Sequence, residues 1–373
     1  MRWCSQCVLP DTRPNLVIGE DGVCNACKSH GTKREIDWAA RERQFRDVAD
    51  RARTTNSGHD CVIPVSGGKD STWQVVKCLE YGLTPLCVTW RPPGRTAIGQ
   101  RNLDNLIRLG VDHIDYAISP KTEAAFTLRA FEKFGSTAVP MHTAIFSIPL
   151  TIAHRFGIPL VIWGENSAFE YGSADEAHTG FKLDAEWLKH YGVTHGTTAE
   201  DWLDEGFTRK QLASYFGPSA ADMGEDEIRA VFLGYYFEWD AEETRKVAAE
   251  HGFEADTGGA RTGYWDFADI DDDFISIHHW MKWYKFGFTR LFDNLSIDIR
   301  NGRISRDDAI AIIQKIGEDR PDSDIDKLAT FLGIDRSRFL EIAETFRNTE
   351  VWQRRPDGAW AMPNFLIEDW TWT

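Results

Sequence analysis

Apolar positions in the first half of the chain come as short runs separated by segments of helical period. Cys61-Val62-Ile63-Pro64-Val65 is continuously apolar, too short for a helix, and fits a strand buried on both faces. Pro64 lacks a ladder donor and is tolerable because it stands near the strand end. A helix follows around Thr72 to Tyr81, closed by Gly82, then a strand from Leu86 to Trp90 and a helix from Ala97 to Leu109 closed by Gly110. Ile114 to Ile118 is a third strand, Thr122 to Phe134 and Thr143 to Phe156 are helices, and Leu160-Val161-Ile162-Trp163 is a fourth strand. Strand and helix in alternation predict an α/β fold, a parallel sheet with helices on both faces and ligands at the carboxyl ends of the strands.

The flanks follow other rules. Met1 to His30 has little apolar periodicity and many turn residues, so it cannot hold itself by a core. It carries Cys4-x2-Cys7 and, sixteen residues later, Cys24-x2-Cys27, the spacing of a four-thiolate zinc ribbon. Metal binding supplies the folding energy such a segment lacks, with iron as the alternative metal, and four thiolates leave no open position for catalysis. Glu35 to Arg53 reads as an amphipathic linking helix. Beyond about Ser173 the alternation stops and helical patterns dominate, among them a capping-box helix starting at Ser305-x-x-Asp308. The expected division is a ribbon over 1–32, a linker over 33–58, a core over 59–175 and a mostly helical substrate or partner region over 176–373.

Composition narrows the function. With 42% hydrophobic and 27% charged residues, the 373-residue chain is a folded protein large enough for a core and one or two appendages. No run of about 18 apolar residues exists and the N-terminus lacks a signal-peptide pattern, so a cytoplasmic location is expected. A net charge of −16 disfavours nucleic acid as a partner.

The chemistry centres on Ser66-Gly67-Gly68-Lys69-Asp70-Ser71, between the first strand and first helix. Two glycines let the backbone approach a polyphosphate, the helix N-terminus adds positive potential, and Ser66 and Ser71 offer hydroxyls. Asp70 beside phosphate calls for Mg2+ between them. The loop is not a kinase-type Walker loop: Ile63 stands where its first glycine belongs and Asp70 where Ser or Thr is needed. After the fourth strand come Gly164-Glu165-Asn166 and Glu170-Tyr171-Gly172, placed for nucleotide and substrate. Thr89, at the end of the second strand, is a further nucleotide candidate. Lys285 and Arg290, in a basic and aromatic island, are candidates for an anionic substrate or the leaving pyrophosphate.

The hexapeptide resembles the pyrophosphate loop of the N-type ATP pyrophosphatases, a superfamily with the adenine nucleotide alpha hydrolase-like fold. Together with the cysteine quartet, the pieces after the fourth strand, and Asp298-Ile299-Arg300-Asn301-Gly302 to Ala309, it makes the chain similar to the N-acetyl sugar amidotransferases, the WbpG/PseA-like family of bacterial surface-glycan synthesis. That resemblance implies ATP, Mg2+ and structural Zn2+, adenylation of an acetamido oxygen on an N-acetylated nucleotide sugar, and displacement of AMP by ammonia. Ser66, Lys69, Asp70, Glu165 and Lys285 are the catalytic candidates. No cysteine sits in a glutaminase-like elbow, and the resemblance suggests partners: a HisH-like glutaminase and a HisF-like barrel that conducts ammonia. The competing expectations are a tRNA thiolation ATPase and a nucleotide-sensing scaffold.

Overall fold

The computed structural model describes residues 1–55, 58–173, 179–219 and 228–372. Strands β1 (Cys61–Pro64), β2 (Pro85–Trp90), β3 (Asp112–Tyr116), β4 (Leu160–Trp163) and β5 (Arg229–Phe232) form one parallel sheet in the order β3-β2-β1-β4-β5. The chain winds outward from β1 to β3 and then returns to the other side of β1, so the topological switch lies between β1 and β4. In such sheets a crevice opens there, at the carboxyl ends. The ladder at the switch is a single pair, Val62 with Val161. Pro64, which has no N–H to donate, is the last residue of this central strand, and Val65 donates to the Val88 carbonyl at 2.9 Å. β1 and β2 are buried up to their last residues and β4 throughout, as strands covered on both faces should be.

The helices of the first half are α1 (Asn25–Thr32), α2 (Trp38–Thr55), α3 (Lys69–Glu80), α4 (Ala97–Ile107), α5 (Pro120–Phe134) and α6 (Val139–Phe156). Three short helices follow, α7 (Ser167–Tyr171), α8 (Ala185–Tyr191) and α9 (Leu233–Tyr236), and then α10 (Ala241–Glu250). One face of the sheet buries Phe45 of α2, Trp73 and Val75 of α3, Leu103 of α4 and Ala248 of α10. The other buries Phe126 of α5 and Val139 and Ile148 of α6. α3 begins at Lys69, before the apolar pattern at Thr72, because extended Gly68 takes the cap position. The first helical turn is therefore part of the loop.

β5 is a strand beyond the four expected, and it comes from the segment past residue 175. Its residues run directly into the aromatic stretch Leu233 to Phe237, so no period marks them, and pairing with β4 from Leu160–Arg229 to Trp163–Phe232 makes them a strand. The remainder is α11 (Ile275–Phe286), α12 (Arg290–Arg300), α13 (Arg306–Ile316), α14 (Asp322–Leu332), α15 (Arg336–Thr345) and a small antiparallel pair, β6 (Gln353–Arg354) and β7 (Trp360–Ala361). Ser305 caps α13 by accepting the Asp308 N–H at 3.1 Å. The N-terminal segment has a core after all, lent by the far end of the chain: Val8, Leu9 and Leu16 share one apolar cluster with Trp283, Phe292, Leu295 and Ile313. Among the described residues, no helix is long and apolar enough to cross a membrane.

Candidate active site

β1 ends at Pro64 and α3 begins at Lys69, so the chain turns tightly at the carboxyl edge beside the switch point. Gly67 has φ +91°, and a Cβ there would stand 2.5 Å from the Leu103 amide nitrogen and 2.7 Å from Leu103 Cα, so glycine alone fits. Ser71 Oγ accepts the Ser66 N–H at 3.0 Å and Ser66 Oγ accepts the Gly68 N–H at 3.2 Å. Both hydroxyls thus brace the loop. The ladder of α3 opens with the Thr72 N–H on the Gly68 carbonyl at 3.0 Å. The amides of Lys69, Asp70 and Ser71 precede that ladder and, with the positive helix end, make a site for an oligophosphate.

Asp70 is fixed from three sides. Its Oδ1 accepts the Trp239 indole N–H at 2.8 Å and the Thr244 hydroxyl at 3.2 Å, and its Oδ2 receives the Lys69 ammonium. Lys69 is buried, with Nζ 5.4 Å from the centre of the Trp239 ring. Glu165 stands across the switch point, directly after β4. Burial, then repulsion by Asp70, pushes its carboxyl up to about 7. It has no ion pair among the described residues. Two carboxylates that repel one another beside a phosphate-binding loop are a donor set that fits Mg2+, whose charge relieves the repulsion.

Other expected residues are placed differently. Asn166 braces the turn after β4: its Oδ1 caps α7 through the Ala168 N–H at 3.0 Å and accepts the Trp187 indole N–H at 3.1 Å, while its Nδ2 donates to the Gly180 carbonyl at 2.9 Å. Gly164 accepts the Gly234 N–H at 3.0 Å, which seats α9 on that turn. Thr89 is buried between strands, donating to the Val65 carbonyl at 2.7 Å and meeting His113 Nε2 at 2.8 Å, so its hydroxyl serves the sheet rather than a nucleotide. Glu170 is paired at 2.6 Å with Lys33, both buried, which locks α7 to the chain just after α1 and takes its carboxylate away from a substrate. Lys285 is not brought to the loop: its Nζ donates to the Phe134 carbonyl at 3.4 Å, while Lys282, one turn earlier in the helix, pairs with Asp293.

Residues 260–366 match the family described as "LPS biosynthesis protein WbpG-like, C-terminal domain". That segment is WbpG-like. No curated protein matches it. The structure of NMN synthetase from Francisella tularensis is 12% identical over 76% of this chain and 97% of that chain, with a TM-score of 0.36, a likeness too weak to carry any assignment. The 66–71 loop, seated between β1 and α3, has the position that the resemblance to a pyrophosphate loop calls for.

The WbpG-like domain reaches the loop. The Asp271 carboxylate lies close enough to the Ser66 hydroxyl for it to favour the charged form, against the burial that pushes this carboxyl up. Close approach is possible because Gly99 has no Cβ, which would stand 2.6 Å from Asp271 Cα. Thr96 fixes the same strip, donating its N–H to the Asp271 carbonyl at 3.1 Å and its hydroxyl to the Ile270 carbonyl at 2.6 Å. Tyr171 and Arg290, named from sequence, do meet: the Arg290 guanidinium lies 5.8 Å from the Tyr171 ring centre and pairs with Asp269 at 2.8 Å. Arg13 of the ribbon covers the same ring at 5.5 Å and pairs with Asp293 at 2.9 Å. Sequence reasoning missed Trp239, Thr244, Asp271 and Arg13. No motif surrounds any of them, and only the fold brings them to the loop and α7.

The sulfurs of Cys4, Cys7, Cys24 and Cys27 lie within 4.8 Å of one another, with Cys7–Cys24 at 3.7 Å and Cys4–Cys27 at 4.0 Å, and all four are buried. Zinc–sulfur bonds of about 2.3 Å in a tetrahedron need sulfurs about 3.8 Å apart, so the quartet fits Zn2+. Backbone amides also point at the sulfurs, Cys24 N–H on Cys4 Sγ at 3.3 Å and Cys27 N–H on Cys24 Sγ at 3.4 Å, which favours thiolates.

Proposed function

We propose that this chain is an ATP-dependent amidotransferase that turns the acetamido group of an N-acetylated nucleotide sugar into an acetamidino group. The observation that carries the reading is the meeting of Asp70, Glu165 and the WbpG-like domain's Asp271 on one phosphate-binding loop at the switch point. An amide oxygen is a poor leaving group, so it attacks the α-phosphorus of ATP, pyrophosphate departs into the amides of residues 69–71, and ammonia then displaces AMP. Asp70 and Glu165 would hold a Mg2+ whose charge offsets that of the phosphates, and the chain's own contribution is positioning and charge. Asn166, Glu170 and Thr89 keep the walls of the crevice in place, Tyr171 with Arg290 and Arg13 forms a cation-flanked aromatic face toward the sugar nucleotide, and Lys285 takes no part.

The family description names lipopolysaccharide biosynthesis, which supports a place in bacterial surface-glycan synthesis in the cytoplasm. Cys61, Cys78 and Cys87 are buried in the sheet core, which suits a chain that receives ammonia from a separate glutaminase and a channelling barrel of the HisH and HisF kinds. The test is AMP and pyrophosphate release from Mg·ATP with free ammonium, with and without a panel of N-acetylated nucleotide sugars. Sugar-dependent AMP is expected; stimulation by tRNA and by no sugar would replace the reading with tRNA thiolation.

A further inference from the structure

Between β2 and the WbpG-like domain lies a cavity of about 30 Å3, room for one or two water-sized particles. Trp90 at the end of β2, Glu123 and Thr127 of α5, and Asp272, Phe274 and His278 of the C-terminal domain contribute to its wall. Glu123 is 3% exposed and Asp272 6%. Glu123 Oε1 accepts the Trp90 indole N–H at 2.8 Å, and Asp272 Oδ1 accepts the Phe274 N–H at 3.1 Å. Among the described residues, Glu123 Oε2 and Asp272 Oδ2 have no hydrogen-bond partner, and neither carboxylate has an ion pair. Burial, above all, pushes Glu123 up to about 8 and Asp272 up to about 7.

Buried carboxylates with unused oxygens and no cation are costly unless something fills the gap. The volume excludes a sugar or a nucleotide. Hard dications need six or more oxygens or several retained waters, and the polar side chains of this wall are two carboxylates, two threonines and His278, set among the rings of Trp90, Phe274 and Phe331. Carboxylates and aromatic faces together suit a small polyatomic cation that donates hydrogen bonds. The imidazole of His278, kept neutral chiefly by burial and then by its cationic neighbours, is a further acceptor.

We propose that this cavity is an ammonium site that holds the nitrogen donor. The assignment rests on the amidotransferase reading for its purpose but not for its chemistry. It adjoins the reaction centre through one peptide unit, since Asp271 meets Ser66 of the loop and Asp272 lines the cavity. Ammonium gives one proton to the Glu123 carboxylate, leaving ammonia and a carboxylic acid. The ammonia lone pair then forms the C–N bond as the C–O bond to AMP breaks, the bonding electrons leave with AMP, and the extra proton stays on the amidinium product.

Thermal unfolding of the full chain at matched ionic strength in ammonium, potassium, sodium and methylammonium chlorides tests this without any turnover. Ammonium is expected to raise Tm beyond all three others, and Glu123→Gln to abolish the difference. Equal shifts in the wild-type protein, or a larger shift with potassium, overturn the site, and that comparison does not depend on a variant folding. With free ammonium as donor, Glu123→Gln should raise the ammonium KM at least tenfold and leave the ATP KM unchanged; an unchanged ammonium KM also overturns it. Ammonium-specific stabilisation without sugar-dependent AMP would keep the site and reject the amidotransferase reading.

Discussion

Gly67→Ala puts the loop geometry to a direct test. The residue has φ +91°, where an L side chain is strained by roughly 1–2 kcal/mol. The new Cβ would also sit 2.5 Å from the Leu103 nitrogen and 2.7 Å from its Cα, and these are backbone atoms of α4 that cannot rotate away. Overpacking of that kind adds about 1–3 kcal/mol, so the variant should lose about 2–5 kcal/mol, at roughly 2–4 °C of Tm per kcal/mol for a chain of a few hundred residues. A loop that yields instead moves the amides of residues 69–71, and a displacement of about 1 Å at a reacting group costs on the order of 100-fold in rate. Gly68→Ala is the control: Gly68 has φ −67° and ψ 171°, an ordinary extended conformation, and its Cβ would meet only Ser66 Oγ at 3.3 Å. It should stay within about 0.5 kcal/mol of wild type. Differential scanning fluorimetry and AMP release read both quantities; Gly67→Ala with wild-type Tm and wild-type AMP release would refute the assignment of this loop as the phosphate cradle.

Trp239→Phe keeps a ring near Lys69 but removes the 2.8 Å N–H donor to Asp70; AMP release should fall at least tenfold, with a stability loss of about 1.5–3 kcal/mol for a hydrogen bond to a charged group. Lys285→Ala should leave AMP release unchanged, because its ammonium reaches the Phe134 carbonyl and not the loop; a rate drop without a Tm change would restore it to the site. Glu123 links stability to pH: its folded carboxyl is raised from 4.5 to about 8, so the folded state holds the proton more tightly and stability is lost as pH rises from 4.5 through 8. In ammonium-free buffer, Glu123→Gln should flatten that slope and unfold at higher temperature than wild type at pH 8, which urea titrations at a series of pH values can check. Stripping metal with a chelator should release one zinc per chain, measured by mass spectrometry, and lower Tm; Cys24→Ser should do the same.

How much could be read from the residues differed sharply between the sheet and the site. Cys61 to Val65 and Leu160 to Trp163 announce themselves because a strand buried on both faces needs an unbroken apolar run, and Ser66 to Ser71 announces itself because loop, glycines and acid are contiguous. β5 was illegible, since Arg229 to Phe232 becomes a strand only when β4 pairs with it. Glu170 illustrates a subtler failure. A carboxylate just past a sheet's carboxyl edge looks catalytic, and nothing nearby in sequence reveals that Lys33 neutralises it at 2.6 Å. Thr89 and Asn166 fail for the same reason: their positions beside the crevice are right, but their polar atoms are consumed by His113, Trp187 and backbone carbonyls. Asp70 was visible and its supports were not, because Trp239, just before α10, and Thr244, on α10, reach it from far along the chain.

The cysteine ribbon is tied to the site more closely than a distant structural metal need be. Its apolar residues share a core with α11 to α13, Arg306 donates to the Cys7 carbonyl at 3.1 Å, and Val8 donates to Ser296 at 3.4 Å. Arg13, on the same segment, presses the Tyr171 ring, while Lys33, just beyond α1, holds Glu170. Tyr171 and Glu170 both belong to α7, which follows Glu165 directly, so one side of the crevice is positioned by the segment whose folding the thiolates organise. The WbpG-like domain grips α7 from the other side through Arg290 and reaches the loop through Asp271. A ribbon that loosens therefore frees α7, and with it the carboxylate that faces Asp70, so a metal held by the four sulfurs would act on the chemistry through position.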